Sequence, residues 1–299
     1  MKNKLVWLLL SSAILVSCKP KTPKQKLSVI VPSGSPLLAL GGVISELDYE
    51  VTVGPDLLPV AFTKGEKDLV VAPITLGAKL YNLEKSRYQL GAVLGWSNLH
   101  ILSRTPINEI SDLAGKSVLA FAEHSTPGIM LRLATKQLGV DITYFKAVSD
   151  VGGPFINKQY DYVLISEPIL SKIMATVKEE VYTFPLQNVS GLPKIAQFGI
   201  FKNPAINLRS YTKFMDKLDL NIKALNEDPK SYAEKILNLD PLFESLGTSV
   251  IENAIPRLDL EFNKALDAKV DVNNYLEYLV SVDENIIGSK VVDDNFYGA

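Results

Sequence analysis

Cysteine is almost missing: the 299 residues hold one, Cys18, so no disulfide can form within the chain. Histidine is nearly as scarce, with only His100 and His124, so a zinc site would have to rest on carboxylates, and neither metal nor cofactor is expected. Positive charge is not in excess: 31 Lys and Arg face 33 Asp and Glu, which gives no electrostatic footprint for nucleic acid. The N-terminal apolar run, Leu5 to Val16, falls well short of the roughly 20 residues that span a bilayer. There is no internal repeat and no low-complexity tract outside residues 19–26. There is also no G-x-S-x-G elbow, and adjacent His124 and Ser125 lack the geometry of a base-activated nucleophile, so no enzyme activity is expected. What is present is a chain that is 47% apolar, enough for a sizeable core without staples and long enough to make two lobes the default.

Lys2 and Lys4 followed by that short apolar run read as a secretion signal. The run ends Leu15-Val16-Ser17-Cys18, which resembles the lipobox of bacterial lipoproteins. The resemblance implies removal of residues 1–17 and acylation of Cys18, with the protein held on a membrane outside the cytoplasm. Each buried methylene contributes about 0.8 kcal/mol and two acyl chains suffice for stable anchoring. The alternative is an ordinary secreted protein with an incidental thiol. Residues 18–26 then form a tether: its lysines and two prolines leave nothing to bury, and they favour an anionic lipid surface. Loss of the two leader lysines leaves 29 basic against 33 acidic groups, a net charge near −4.

From Leu27 onward, short β-branched runs alternate with helical patterns, as in parallel strands joined by helices. Strands are expected at 27–31, 49–53, 69–72, 117–121, 142–145, 160–165 and 195–201. Met130, Leu133, Ala134 and Leu138 trace one buried helical face between them. The strand ends lead into four small polar loops: Pro32-Ser33-Gly34-Ser35-Pro36, Pro73-Ile74-Thr75, Ala122 to Gly128, and Ser166-Glu167-Pro168. Ser35-Pro36 and Thr126-Pro127 have the form of an N-cap hydroxyl followed by a first-turn proline. Each loop alone is simply a good helix start. Four at equivalent points of the rhythm point to one shared cleft at the carboxyl ends of the strands. Beyond Leu208 the chain reads as helical, and the stripes Met215, Leu218, Ile222, Leu225 and Tyr275, Leu276, Leu279 read as packing surfaces.

Six segments, residues 68–82, 88–104, 110–121, 160–173, 250–262 and 287–297, resemble in order and spacing the solute-binding proteins of bacterial ABC importers. The closest branch groups binders of alkanesulfonates with those of thiamine pyrimidine precursors. The resemblance implies an α/β, two-lobed periplasmic binding protein type II fold, mainly of parallel sheets flanked by helices, with a helical C-terminal region. It assigns residues 27–104 and 197–299 to lobe one and 105–196 to lobe two, with crossovers near 103–106 and 195–197. It implies a monomer that closes on a small-molecule solute and presents it to an ABC permease in the membrane.

Carried over by position, the resemblance places Ser33, Gly34, Ser35, Pro73, Ile74 and Thr75 in the binding loops of lobe one. It places Trp96, Ser97 and Asn98 before the hinge, and His124, Ser125, Thr126 and Glu167 on lobe two. Trp96 either stacks on a flat ligand or packs in the core, Glu167 either faces the cleft or serves a helix start, and His124 either contacts ligand or lies on the surface. A cleft-facing Glu167 would favour an amino heterocycle such as a pyrimidine precursor over a taurine-like sulfonate. No guanidinium is evident in the loops themselves, which also disfavours a strongly anionic solute. A lipoprotein that keeps the fold as an adhesin, with a self-filled cleft and an exposed apolar patch, is the other reading.

Overall fold

A computed structural model describes residues 26–54 and 56–298; the expected leader, Cys18 and all of the tether but Lys26 lie outside them. The chain begins with β1 (Leu27–Pro32), α1 (Ser35–Leu40), β2 (Leu47–Thr52), α2 (Leu57–Lys64), β3 (Leu69–Pro73), α3 (Ile74–Asn82) and β4 (Gln89–Trp96). It then crosses to β5 (His100–Ser103), β6 (Ser117–Phe121), α4 (Thr126–Ala134), β7 (Asp141–Phe145), α5 (Gly152–Ile156), β8 (Tyr162–Ile165), α6 (Ile169–Met174) and β9 (Tyr182–Pro185). It returns through β10 (Ala196–Lys202) and α7 (Leu208–Glu227) to α8 (Pro229–Ile236), α9 (Pro241–Leu246), α10 (Thr248–Ala254), β11 (Leu260–Lys264) and α11 (Lys269–Val282).

Two mixed sheets result, one per lobe: β11-β4-β10-β3-β1-β2 and β7-β6-β8-β5-β9. The βα units pair in parallel, whereas β10 and β11 in the first sheet and β5 and β9 in the second run antiparallel to their neighbours. These antiparallel partners include the strands that carry the chain from one lobe to the other. The first crossing therefore falls at residues 97–99, earlier than the 103–106 expected, and residues 100–103 belong to the second sheet. In the sequence, residues 89–103 are mostly apolar on either side of Ser97-Asn98, and both β4 and β5 are buried throughout but for Gln89, so alternation gives no boundary and only that polar pair marks one.

The first sheet is covered on both faces, and its strands divide their side chains by the period of two that a strand imposes. In β3, Val70 and Ala72 enter one core cluster and Leu69 and Val71 the other. The first cluster continues into the second lobe through Leu119, Val163 and Met130. The second is closed by α7, which buries Tyr211, Phe214, Met215, Leu218, Ile222 and Leu225 on one stripe, as its spacing predicts. Asn207 starts that helix by accepting the Ser210 amide at 3.0 Å.

Phe201 sits at the centre of the first cluster, fully buried, with Phe62 and Phe296 edge-on at centroid distances of 5.2 and 5.9 Å. It reaches α3 only because residue 77 is glycine: a Cβ there would fall 2.2 Å from the ring. Gly77→Ala is expected to destabilise the protein by about 1–3 kcal/mol through overpacking, read as a lower urea midpoint at unchanged slope.

Candidate functional site

The loops at the strand ends meet their counterparts across the lobe boundary. Ser35 opens α1 and Thr126 opens α4, one residue inside the cap positions expected of them, and the residues that precede them, Gly34 and Ser125, make no side-chain cap bond. Both hydroxyls turn to the other lobe instead. Ser35 Oγ donates to the Glu167 carbonyl at 2.8 Å, and Thr126 Oγ1 lies 3.3 Å from Thr75 Oγ1 and accepts from Tyr275 Oη at 3.4 Å. Gly34 makes the approach possible with φ 89°, and a Cβ at this position would stand 3.9 Å from the Pro168 ring.

Asn98 joins the two sides. It lies in the crossover, where Ser97 and Asn98 both adopt left-handed backbone with φ 47°, a conformation that asparagine tolerates better than most side chains. Its Nδ2 donates to Ser35 Oγ at 2.6 Å and its Oδ1 accepts the Glu167 amide at 2.9 Å. The second crossover is tied to the first by the Ser97 amide, which donates to the Ile195 carbonyl at 2.9 Å.

Glu167 is the electrostatic centre of this contact. Its side chain has no exposure, and its carboxylate accepts the Ser171 amide at 2.9 Å, the Ser171 hydroxyl at 3.0 Å and Arg257 Nε at 2.6 Å. Arg257 comes from the other lobe, at the end of the short 3-10 turn Ile255–Arg257 after α10, and its Nη2 also donates to Ser171 Oγ at 2.7 Å. Burial pushes the Glu167 carboxyl up, against the opposing pull of the Ser171 amide and the guanidinium. The folded state thus holds this proton more tightly than the unfolded one, so the group's contribution falls as pH rises through the raised pKa.

His100 lies beside the same arginine. It is 6% exposed, neither ring nitrogen has a hydrogen-bond partner, and the Arg257 carbonyl is close enough to influence its proton without completing a bond. Burial, with a smaller push from the guanidinium charge, lowers its pKa to about 4. Gln197 lies one residue before Phe198, which pairs with Pro73 at the end of β3, and its Oε1 is likewise buried without a partner.

The other expected residues fall into two groups. Ile74 is buried, and Ser33, Pro73 and Ser125 are half-buried at the loop ends. Trp96 is 1% exposed and tied within its surroundings, donating Nε1 to Asn263 Oδ1 at 2.8 Å beneath the Lys194 ammonium, which stands 4.0 Å from the ring centroid. The His124 side chain is 89% exposed, 3.8 Å from Glu123. Thus Ser35, Thr75, Asn98, Thr126 and Glu167 come together at the lobe boundary, while His124 projects outward. Arg257, Ser171 and Tyr275 join them unannounced. Arg257 lies 90 positions from its partner, in a segment that carries the resemblance but no expected site residue, and no local spacing reveals the pair. The lack of a guanidinium in the loops does not extend to the lobe boundary, where Arg257 stands.

Among solved structures, an ABC transporter protein from Parabacteroides distasonis superimposes with a TM-score of 0.77 at 20% identity, over 92% of this chain and 99% of that one. The ligand-binding component of an ABC-type import system from Staphylococcus aureus, with zinc bound, gives 0.66 at 11% identity, over 92% and 98%. The alkanesulfonate-binding protein SsuA from Xanthomonas axonopodis pv. citri, bound to MOPS, gives 0.63 at 16% identity, over 89% and 94%. No family model and no curated protein matches the sequence. The chain therefore has the two-lobed fold of periplasmic solute-binding proteins, nearly end to end.

His100 yields a pH prediction. The unfolded imidazole titrates near 6.5 and the folded one near 4, so the unfolded state binds more protons between these values and stability is lost as pH falls through that window. The full loss below pH 4 is about 3 kcal/mol. His100→Gln should flatten the acid limb of the stability profile by that amount relative to wild type, measured by urea unfolding at successive pH values. Identical limbs would place the imidazole in water.

Proposed function

We propose that this protein is the solute-binding component of an ABC importer, taking a small polar solute between its lobes and delivering it to a membrane permease. The observation that carries this reading is the meeting of Ser35, Thr75, Asn98, Thr126 and Glu167, which come from five separate segments, at one lobe boundary. The fold likeness to importer components supports it. Hinge motion at residues 97–99 and 186–195 exchanges the present cross-lobe bonds for bonds to solute, and the closed form is what a permease would recognise.

The site works as a monomer, with residues 27–96 and 196–298 forming one lobe and 100–185 the other. Acylated Cys18 holds it at the cell envelope, outside the cytoplasm, on the lysine-rich tether, so that diffusion to the permease is two-dimensional. The cleft's chemistry is that of binding, not catalysis: hydroxyls, an amide and a compensated ion pair. An amino heterocycle such as a thiamine pyrimidine precursor could donate to Glu167, and the presence of Arg257 keeps a sulfonate in contention.

One set of observations favours a second reading, a lipoprotein that retains the fold for adhesion. The lobes bond directly to each other, and Val53, Leu57 and Val60, near one another in the chain, expose 74%, 49% and 47% of their surfaces. A thermal-shift screen of residues 19–299 against pyrimidines, sulfonates, flavin-like compounds and aromatic or amino acids separates the two. Importer function predicts a hit that adds about 2.7 kcal/mol at 100 times its dissociation constant. Adhesion predicts no shift with any small molecule.

A further inference from the structure

The contact between Arg257 and Glu167 defines the charge pattern that a solute must carry. The two groups come from different lobes, 2.6 Å apart, and both are withdrawn from water, Glu167 completely and Arg257 by two-thirds. Parting the lobes separates the two charges and leaves each short of its present partner. A charge withdrawn from water is destabilised when it loses its partner, so a solute that satisfies only one of the two is opposed by the other. A simple anion would meet Arg257 but lie against the Glu167 carboxylate. A simple cation would meet Glu167 but face the guanidinium.

Glu167 cannot turn away. Its Oε2 is fixed by the Ser171 amide and its Oε1 by the Ser171 hydroxyl, leaving the side of Oε1 that Arg257 now occupies. Arg257 presents Nε and Nη2 on one edge, and these two donors match the two oxygens of a carboxylate or sulfonate. His100, with both nitrogens unspent beside Arg257 and no positive charge near neutral pH, adds hydrogen bonding without adding to the cationic count.

From this geometry we infer that the solute is a zwitterion that inserts into the Arg257–Glu167 pair, its anionic group on the guanidinium edge and its ammonium on Glu167 Oε1. The ion pair seen here is the same site closed on itself, with Arg257 standing where the solute's ammonium would lie and Glu167 where its anionic group would lie. The inference rests on the proposed capture of a solute between the lobes and narrows its class. It moves the preference away from neutral heterocycles and simple sulfonates.

The test is a binding series on residues 19–299, with thermal shift and calorimetry as readouts. The zwitterions are glycine, β-alanine, 4-aminobutanoate, 5-aminopentanoate and taurine; the half-charged controls are acetate, propanoate, butanoate, propylamine and butylamine. At least one zwitterion should bind, and its half-charged counterparts should bind about 100-fold more weakly or less. The paired variant Arg257→Leu with Glu167→Leu replaces both charges by apolar groups, so it should melt within a few degrees of wild type and lose the zwitterion shift. Should that variant not fold, Arg257→Lys retains the charge but not the fork and should weaken the zwitterion about 10-fold. Equal binding of an anion and its zwitterion, binding unaffected by these variants, or no zwitterion bound at all overturns the inference. A neutral or simply anionic ligand found by the wider screen would do so while leaving solute capture intact; a chain that binds nothing loses both.

Discussion

A carboxylate without exposure must be compensated, and the compensation of Glu167 comes from both halves of the molecule. Ser171 supplies two bonds from its own lobe and Arg257 supplies a charged one from the other. Around this pair the remaining bonds at the boundary are between neutral groups: a serine to a carbonyl, an asparagine between them, two threonines at 3.3 Å. Hydrogen bonds to charged groups contribute roughly twice what neutral ones do, so the ion pair sets how strongly the lobes hold. Everything else at the boundary positions it.

That positioning begins in the chain's local chemistry. Gly34 adopts a backbone that side-chain-bearing residues avoid, which lets α1 start close under Pro168. Ser97 and Asn98 take the same left-handed region at the crossover, turning the chain from β4 into β5 while aiming the Asn98 amide at both lobes. The hydroxyls of Ser35 and Thr126 are diverted from helix capping to this contact. Proline follows each of them in the first turn and removes one of the amides a cap would serve, which lowers the cost of diverting the hydroxyls.

Much of this was legible before any coordinates. The strand rhythm places β1, β2, β3, β6, β7, β8 and β10 within two residues of where they lie, because each is a short β-branched run between turn residues. The stripe on α7 and the small polar loops are equally plain. Several features were not, among them the short strands β9 and β11, the latter inside a stretch that reads as helical. The β4–β5 boundary is marked only by Ser97-Asn98 because both strands are buried on both faces and neither shows alternation. The cap roles of Ser35 and Thr126 shift by one residue because tertiary hydrogen bonds outweigh local ones. Arg257 meets Glu167 only through the fold of the helical C-terminal region, and no periodicity in the sequence encodes a contact between α6 and the turn after α10.

The two lobes are held across one boundary by an ion pair and its polar surround. Spin labels at exposed positions on each lobe, Leu220→Cys on α7 and Lys136→Cys after α4, report the separation directly in residues 19–299 without solute. Wild type at neutral pH should give one narrow distance distribution, and Arg257→Gln should broaden it and move it to longer values. The same broad distribution in both proteins, or the same narrow one, would contradict a closure that depends on Arg257 and Glu167.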